Sequence, residues 1–188
     1  MTISEQKQAI RRRISALKAA LTADERASAA RRLADGILRR GDIGTSLAIL
    51  AFWPMGDEID IAPLVRDLSA KGKRVYLPVI RGDELEFRLF TSEEELTPAP
   101  RLGVLQPPAS ASPLPAELAS DGRGVVVVTP GMAFTPDGRR LGRGRGFYDR
   151  LFARMPQARS IGVGFRCQMV DDLPTAEHDA RLDAVIVA

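Results

Sequence analysis

Residues 139–150 read RRLGRGRGFYDR, with four arginines and three glycines ahead of an aromatic pair and an aspartate. A loop this rich in glycine is costly to order, and its like charges repel. A bound anion offsets both costs. Guanidinium groups make charge-assisted hydrogen bonds to phosphate, about 1.5–3 kcal/mol each where water is excluded. Gly142, Gly144 and Gly146 clear Cβ atoms from the backbone around an anion. The stretch follows a predicted strand at 124–130 and runs into a predicted helix at 147. Ligands of open α/β sheets sit at strand carboxyl ends, and helix N-termini point N–H groups at anions. The pattern is neither a Walker loop nor a Rossmann fingerprint, since it reads G-x-G-x-G and lies well past the strand end. Two other readings stand beside phosphate binding. One is a mobile basic loop without a ligand. The other is an RNA-binding tract, which needs more repetition and more aromatics than this chain has.

Asp149 follows the basic loop. A carboxylate there either holds Mg²⁺, which takes one or two carboxylates plus phosphate oxygens, or forms a salt bridge to Arg145 or Arg150. FWPMGDEID (52–60) places Trp53 and a group of acids at a strand's end, where an aromatic beside carboxylates suits a flat heterocycle bearing N–H donors. Asp60 reads as a helix N-cap, which leaves Glu58 freer for ligand work. Lys7 and Arg11 share a helix face, as many solvated charges do. His178 reads as a structural or surface imidazole, and Cys167 as a small buried filler.

The whole chain bounds these readings. Its 188 residues suit a single domain with a full core, and its net charge of +3 permits an anionic partner without requiring nucleic acid. One cysteine excludes an internal disulfide, and one histidine excludes a multi-histidine metal site. The charged N-terminus lacks an apolar signal region, and the apolar runs are too short to span a bilayer. The expectation is a soluble, cytoplasmic protein with no membrane or nucleic-acid partner.

The elements that must position the loop follow from spacing. Ser4 is placed to cap a first helix with Ile10, Ile14, Leu17 and Leu21 on one face. Thr22 and Glu25 form a capping box for a second helix reaching about Arg40. SLAILAFW (46–53), RVYLPVI (74–80), GVVVVTP (124–130), RSIGVGF (159–165) and DAVIVA (183–188) read as strands. ELEFRLF (84–90) alternates like a half-buried hairpin strand. Helices are expected at 61–71 and 147–155, and a surface connection at 97–115. Strands separated by helices predict an α/β fold with a largely parallel sheet.

KQAIR (7–11), DEID (57–60), KRVYLP (73–78), TPGMAFTPDGRRLGRGRGFYDR (129–150) and GFRCQMVDDLPTAEHDARLD (164–183) together resemble the 5-formyltetrahydrofolate cyclo-ligase family. The resemblance runs from about Lys7 to the C-terminus. It implies one domain over residues 1–188, a three-layer sandwich similar to sugar-phosphate isomerase and CoA transferase folds. The implied reaction is ATP-dependent closure of 5-formyltetrahydrofolate to 5,10-methenyltetrahydrofolate, with ADP and phosphate released. By position, Lys7, Gln8, Ala9, Ile10 and Arg11 would contact ATP, as would Arg140, Leu141, Gly142, Arg143, Gly144, Arg145, Gly146, Phe147 and Tyr148. Lys7, Arg143 and Arg145 would be the catalytic cations. Trp53 and Glu58 would line the folate site, sharing residues Arg143 to Phe147 with the nucleotide. Asp149 and Asp179 would hold Mg²⁺. The expectation is a monomer or weak homo-oligomer, and the resemblance implies a reduced folate and ATP as its small-molecule substrates. Two positions depart from its pattern: Phe147 stands where a tyrosine is usual, and Ile61 where a threonine is usual. A non-catalytic relative that binds nucleotide or folate remains the alternative.

Overall fold

A computed structural model of the chain describes residues 2–99, 103–174 and 180–188. In chain order the elements are α1 (Ile3–Ala19), α2 (Ala23–Leu38), α3 (Gly41–Thr45), β1 (Ala48–Leu50), α4 (Ala62–Ala70), β2 (Val75–Arg81), β3 (Glu84–Leu89), β4 (Thr97–Pro98), β5 (Leu105–Gln106), α5 (Ala116–Asp121), β6 (Val125–Pro130), β7 (Ala133–Phe134), β8 (Arg140–Leu141), α6 (Phe147–Arg154), β9 (Arg159–Gly164) and β10 (Ala184–Val187). Six strands form one sheet in the order β10-β9-β6-β1-β2-β3. All neighbours are parallel except β2 and β3, which form the expected antiparallel hairpin.

The run Val125–Val128 explains the layering. Its side chains alternate between two buried faces, which is why it is apolar without interruption. Val126 and Val128 join Ile49, Leu33 and Ile37 of α2, and Leu64 and Val65 of α4. Val125 and Val127 join Leu50, Leu118 of α5, and Leu151, Phe152 and Met155 of α6. Helices therefore cover both faces, and the three-layer α/β arrangement expected from the sequence is present.

Several boundaries differ from expectation, each for a local reason. Thr2, not Ser4, caps α1, because Thr2 has Glu5 three residues on, and the two exchange hydrogen bonds of 3.2 and 2.7 Å. The Thr22–Glu25 box on α2 is present as read. α4 starts one residue late: Ile61 holds the cap position, while Asp60 Oδ1 still accepts the Ala62 N–H at 2.9 Å. β1 spans only Ala48–Leu50 of the longer apolar run, whose end at Phe52 and Trp53 leads to Pro54, a residue with no N–H to donate. The stretch 131–150 is not all loop, since β7 and β8 pair within it, and a short β4–β5 pair interrupts the connection at 97–115.

The β7–β8 turn carries the arginine loop and is tied to the C-terminal segment. Gly138 has φ +87°, and its carbonyl accepts the Leu182 N–H at 2.8 Å. A Cβ at Gly138 would lie 2.3 Å from the Leu182 carbonyl oxygen. Gly138→Ala is therefore expected to lower stability by at least about 1–2 kcal/mol from backbone strain alone. Urea unfolding checks this, and an unchanged midpoint would mean that the turn does not anchor the hairpin.

Candidate active site

The chain leaves β1 through α4 on one face of the sheet and leaves β6 through α6 on the other. β1 and β6 are neighbours, so their carboxyl ends flank a crevice where the connections diverge. Ligands of open α/β sheets bind at such a point. A cleft of about 420 Å³ opens there, walled by Phe52, Trp53, Met55 and Glu58 after β1, by Pro130 and Gly131 at the end of β6, and by the arginine loop. That volume lies within the usual range of small-molecule sites, roughly 300–1,000 Å³.

α1 supplies the opposite wall. Lys7, Arg11, Ile14 and Lys18 recur at helical spacing and share one face. Ile14 is fully buried among Met132, Ala133, Leu141 and Leu173. Burying one isoleucine side chain contributes about 1.5–3 kcal/mol, enough to dock the helix on the β7–β8 hairpin. That docking brings Lys7 and Arg11 to the cleft, and Arg11 Nε donates to the Gly142 carbonyl at 2.9 Å. Gln8, Ala9 and Ile10 fall outside the lining. Gln8 accepts from Arg11 at 3.5 Å, and Ile10 packs beside Ile14 in the apolar cluster.

The loop is held at both ends. Gly146 takes φ +66° at the cap of α6, a conformation that costs glycine little, and no side chain caps that helix. Its first N–H groups are thus left for a ligand or water. Arg150 donates to the Asp83 carbonyl in the β2–β3 turn and to the Arg145 carbonyl at 2.7 Å. Arg140 is nearly buried, lies 5.4 Å over the Tyr148 ring and donates to Asp149 Oδ1 at 2.9 Å. Its buried Nε has no partner among the described residues. The salt-bridge reading of Asp149 named Arg145 or Arg150, and the partner is Arg140 instead. Adjacent helix positions do not face one another, and Arg150 is turned to Asp83. The Arg145 guanidinium makes no hydrogen bond or ion pair among the described residues, and it lines the cleft.

Arg143 closes a charge network that spacing alone did not reveal. It donates to Asp57 and lies 3.4 Å from Glu58 Oε1. The other Asp57 oxygen accepts from Lys18 at 2.7 Å, and the Lys18 side chain is only 1% exposed. Burial works to raise the Asp57 carboxyl, but its bonds to Lys18 and Arg143 hold it below the usual range. Burial pushes the Glu58 carboxyl up, although the Met55 N–H and Arg143 oppose the shift. Burial, with the Glu58 charge nearby, also pushes the Tyr148 phenol up.

The remaining expected residues divide. Trp53 reaches the cleft, but Phe90 stacks on its ring at a centroid distance of 5.8 Å, so part of its surface is already covered. Phe147 lines the cleft with the Arg150 guanidinium 5.6 Å over its ring. Ile61 is buried in the core, where a hydroxyl would need a partner. Cys167 is half-buried, and burial raises its thiol. Asp179 and His178 lie outside the described residues. Among the described residues no group of three or more His, Cys, Asp or Glu is placed to hold a metal ion. No described helix is long and apolar enough to cross a membrane.

Comparison with known proteins gives the family and the fold. The model of the 5-formyltetrahydrofolate cyclo-ligase family matches residues 3–188. The chain is 31% identical to the 5-formyltetrahydrofolate cyclo-ligase of Escherichia coli (strain K12) over 172 residues, covering 89% of this chain and 92% of that one. It is 27% identical to the Mus musculus protein of the same name over 195 residues, covering 99% and 95% of the two chains. The NMR structure of Aquifex aeolicus 5,10-methenyltetrahydrofolate synthetase superposes with a TM-score of 0.81 at 25% identity, covering 96% of this chain and 89% of that one.

Glu58 gives a stability test of the site. Its carboxyl is raised in the folded protein. As pH rises above the ordinary glutamate range, near about 4.3, the unfolded chain loses this proton first, so folding stability falls until the folded carboxyl also ionises. Glu58→Gln removes that loss. Its melting temperature relative to wild type should climb as pH rises above about 4.3, until the folded carboxyl ionises, whereas a pH-independent difference would show that burial does not raise Glu58.

Proposed function

Because the chain belongs to the 5-formyltetrahydrofolate cyclo-ligase family, we propose that this cleft closes 5-formyltetrahydrofolate to 5,10-methenyltetrahydrofolate at the expense of ATP. The protein is an enzyme, a ring-forming ligase of one-carbon metabolism. The observation that carries the site assignment is the meeting of Lys7, Arg11, Arg145, Glu58 and the uncapped start of α6 in one cleft.

The chemistry is a phosphoryl transfer followed by ring closure. The formyl oxygen attacks the γ-phosphorus of ATP. An O–P bond forms, and the bond to the β-phosphate oxygen breaks with release of ADP. Phosphate is a far better leaving group than the original oxygen. The N10 amine then attacks the formyl carbon, the C–O electron pair leaves with phosphate, and the N10 proton is released. Phosphoryl transfer needs positioning and charge neutralisation more than a dedicated base. Lys7, Arg143 and Arg145 supply the cations, and the first N–H groups of α6 add donors. Removing one well-placed donor of this kind costs about 2.7–4 kcal/mol in barrier where it behaves like an oxyanion-hole contact. Glu58, whose carboxyl burial raises, lines the same space and can hydrogen-bond the pterin ring. Trp53 and Phe147 bound the same space with apolar surface.

Mg²⁺ fits the donor set. Asp149 offers one carboxylate at the rim of the loop, and this ion completes its shell with water and phosphate oxygens. Asp149 would hold it, joined by Asp179, and when bound it would neutralise charge on the phosphate oxygens. Arg140 keeps Asp149 in place by its hydrogen bond.

Purified protein with ATP, Mg²⁺ and 5-formyltetrahydrofolate should form the methenyl chromophore, and a blank rate at saturating substrates would reject the assignment. Arg145→Ala should raise the KM for ATP about tenfold or more and leave thermal unfolding unchanged, because its guanidinium has no partner to lose among the described residues. A loss of stability with normal kinetics would mean that the loop is structural. Asp149→Asn should shift the Mg²⁺ titration to higher concentration, and an unchanged titration would refute its role.

A further inference from the structure

Lys18 does not line the cleft. It sits four residues beyond Ile14 on the buried face of α1, a place where packing calls for an apolar side chain. Its ammonium meets Asp57 Oδ2 at 2.7 Å and Met132 Sδ at 4.0 Å. Burying a lone ammonium is costly, so the position needs its counter-charge. The partner, Asp57, is also the partner of Arg143, and Arg143 faces Glu58 as well.

The charges decide what this arrangement does. Without Lys18, Arg143 alone would offset the Asp57 charge, and less of its field would reach an incoming phosphate. With Lys18, two cations flank the Asp57 carboxylate. We infer that Lys18 is a positioning residue: as the buried counter-ion of Asp57, it keeps Arg143 aimed past Glu58 and electrostatically available to an anionic ligand. This rests on the assignment of the cleft to ATP and folate made above.

The test is steady-state kinetics on Lys18→Met and on the double variant Lys18→Met/Asp57→Asn, with thermal unfolding run in parallel. Methionine keeps the length and drops the charge. Lys18→Met should raise the KM for ATP about tenfold, with a smaller change in kcat. The double variant removes both charges and should return that KM to within about threefold of wild type. A Lys18→Met enzyme that is less stable but has a normal KM for ATP would overturn the inference and leave Lys18 a packing residue. If the single variant does not fold, the double variant decides alone: a KM near wild type supports the inference, and one raised tenfold refutes it. Wild type is the reference in every arm. An inactive wild type would count against the assignment of the cleft, whereas an active wild type with an unaltered variant counts only against Lys18.

Discussion

A loop with this density of guanidinium groups stays folded only if the charges find oxygen. Arg143 finds Asp57 and Glu58, Arg140 finds Asp149, and Arg139 finds Asp137 and the Leu173 carbonyl. Arg150 and Arg11 bind backbone carbonyls, including two of the loop's own. The arginines thus act as struts. They fix glycine-rich backbone that would otherwise cost entropy to order. Arg145 is the exception among the described residues, since it is held by nothing and lines the cavity. Those bonds hold the loop in one geometry, which is what positioning catalysis requires.

Different layers of the fold serve that loop. The opposed exits from β1 and β6 create the crevice. The β7–β8 hairpin reaches over it and starts the loop, and α6 ends it. The β2–β3 turn receives Arg150. Ile14 docks α1 so that its cations face inward. A defect in any of these would reach the site through geometry, without touching a residue that contacts substrate.

Much of this was legible in the amino-acid sequence. The apolar run 125–128 marked a strand buried on both faces, and the Thr22–Glu25 spacing marked a helix start. The quoted motifs pointed to the cyclo-ligase family, and the cleft collects Lys7, Arg11, Trp53, Glu58 and most of the loop. What escaped depends on contacts distant in sequence. Nothing local says that Lys18 is buried, or that Asp57 would join it to Arg143 across 86 positions. A lysine on the Lys7–Arg11–Ile14 stripe was the available clue. Asp149 was given the wrong arginine because chain proximity misleads on a helix, where neighbours point apart. Gln8, Ala9 and Ile10 belong to the same motif but lie outside the cleft lining, where Gln8 meets Arg11 and Ile10 packs beside Ile14.

The most direct test of the account is a crystal structure with a non-hydrolysable ATP analogue and magnesium. The account predicts the terminal phosphates against the first N–H groups of α6, with Arg145 swung onto them and Arg143 still on Asp57. A nucleotide bound elsewhere, with Arg145 left in solvent, would contradict it.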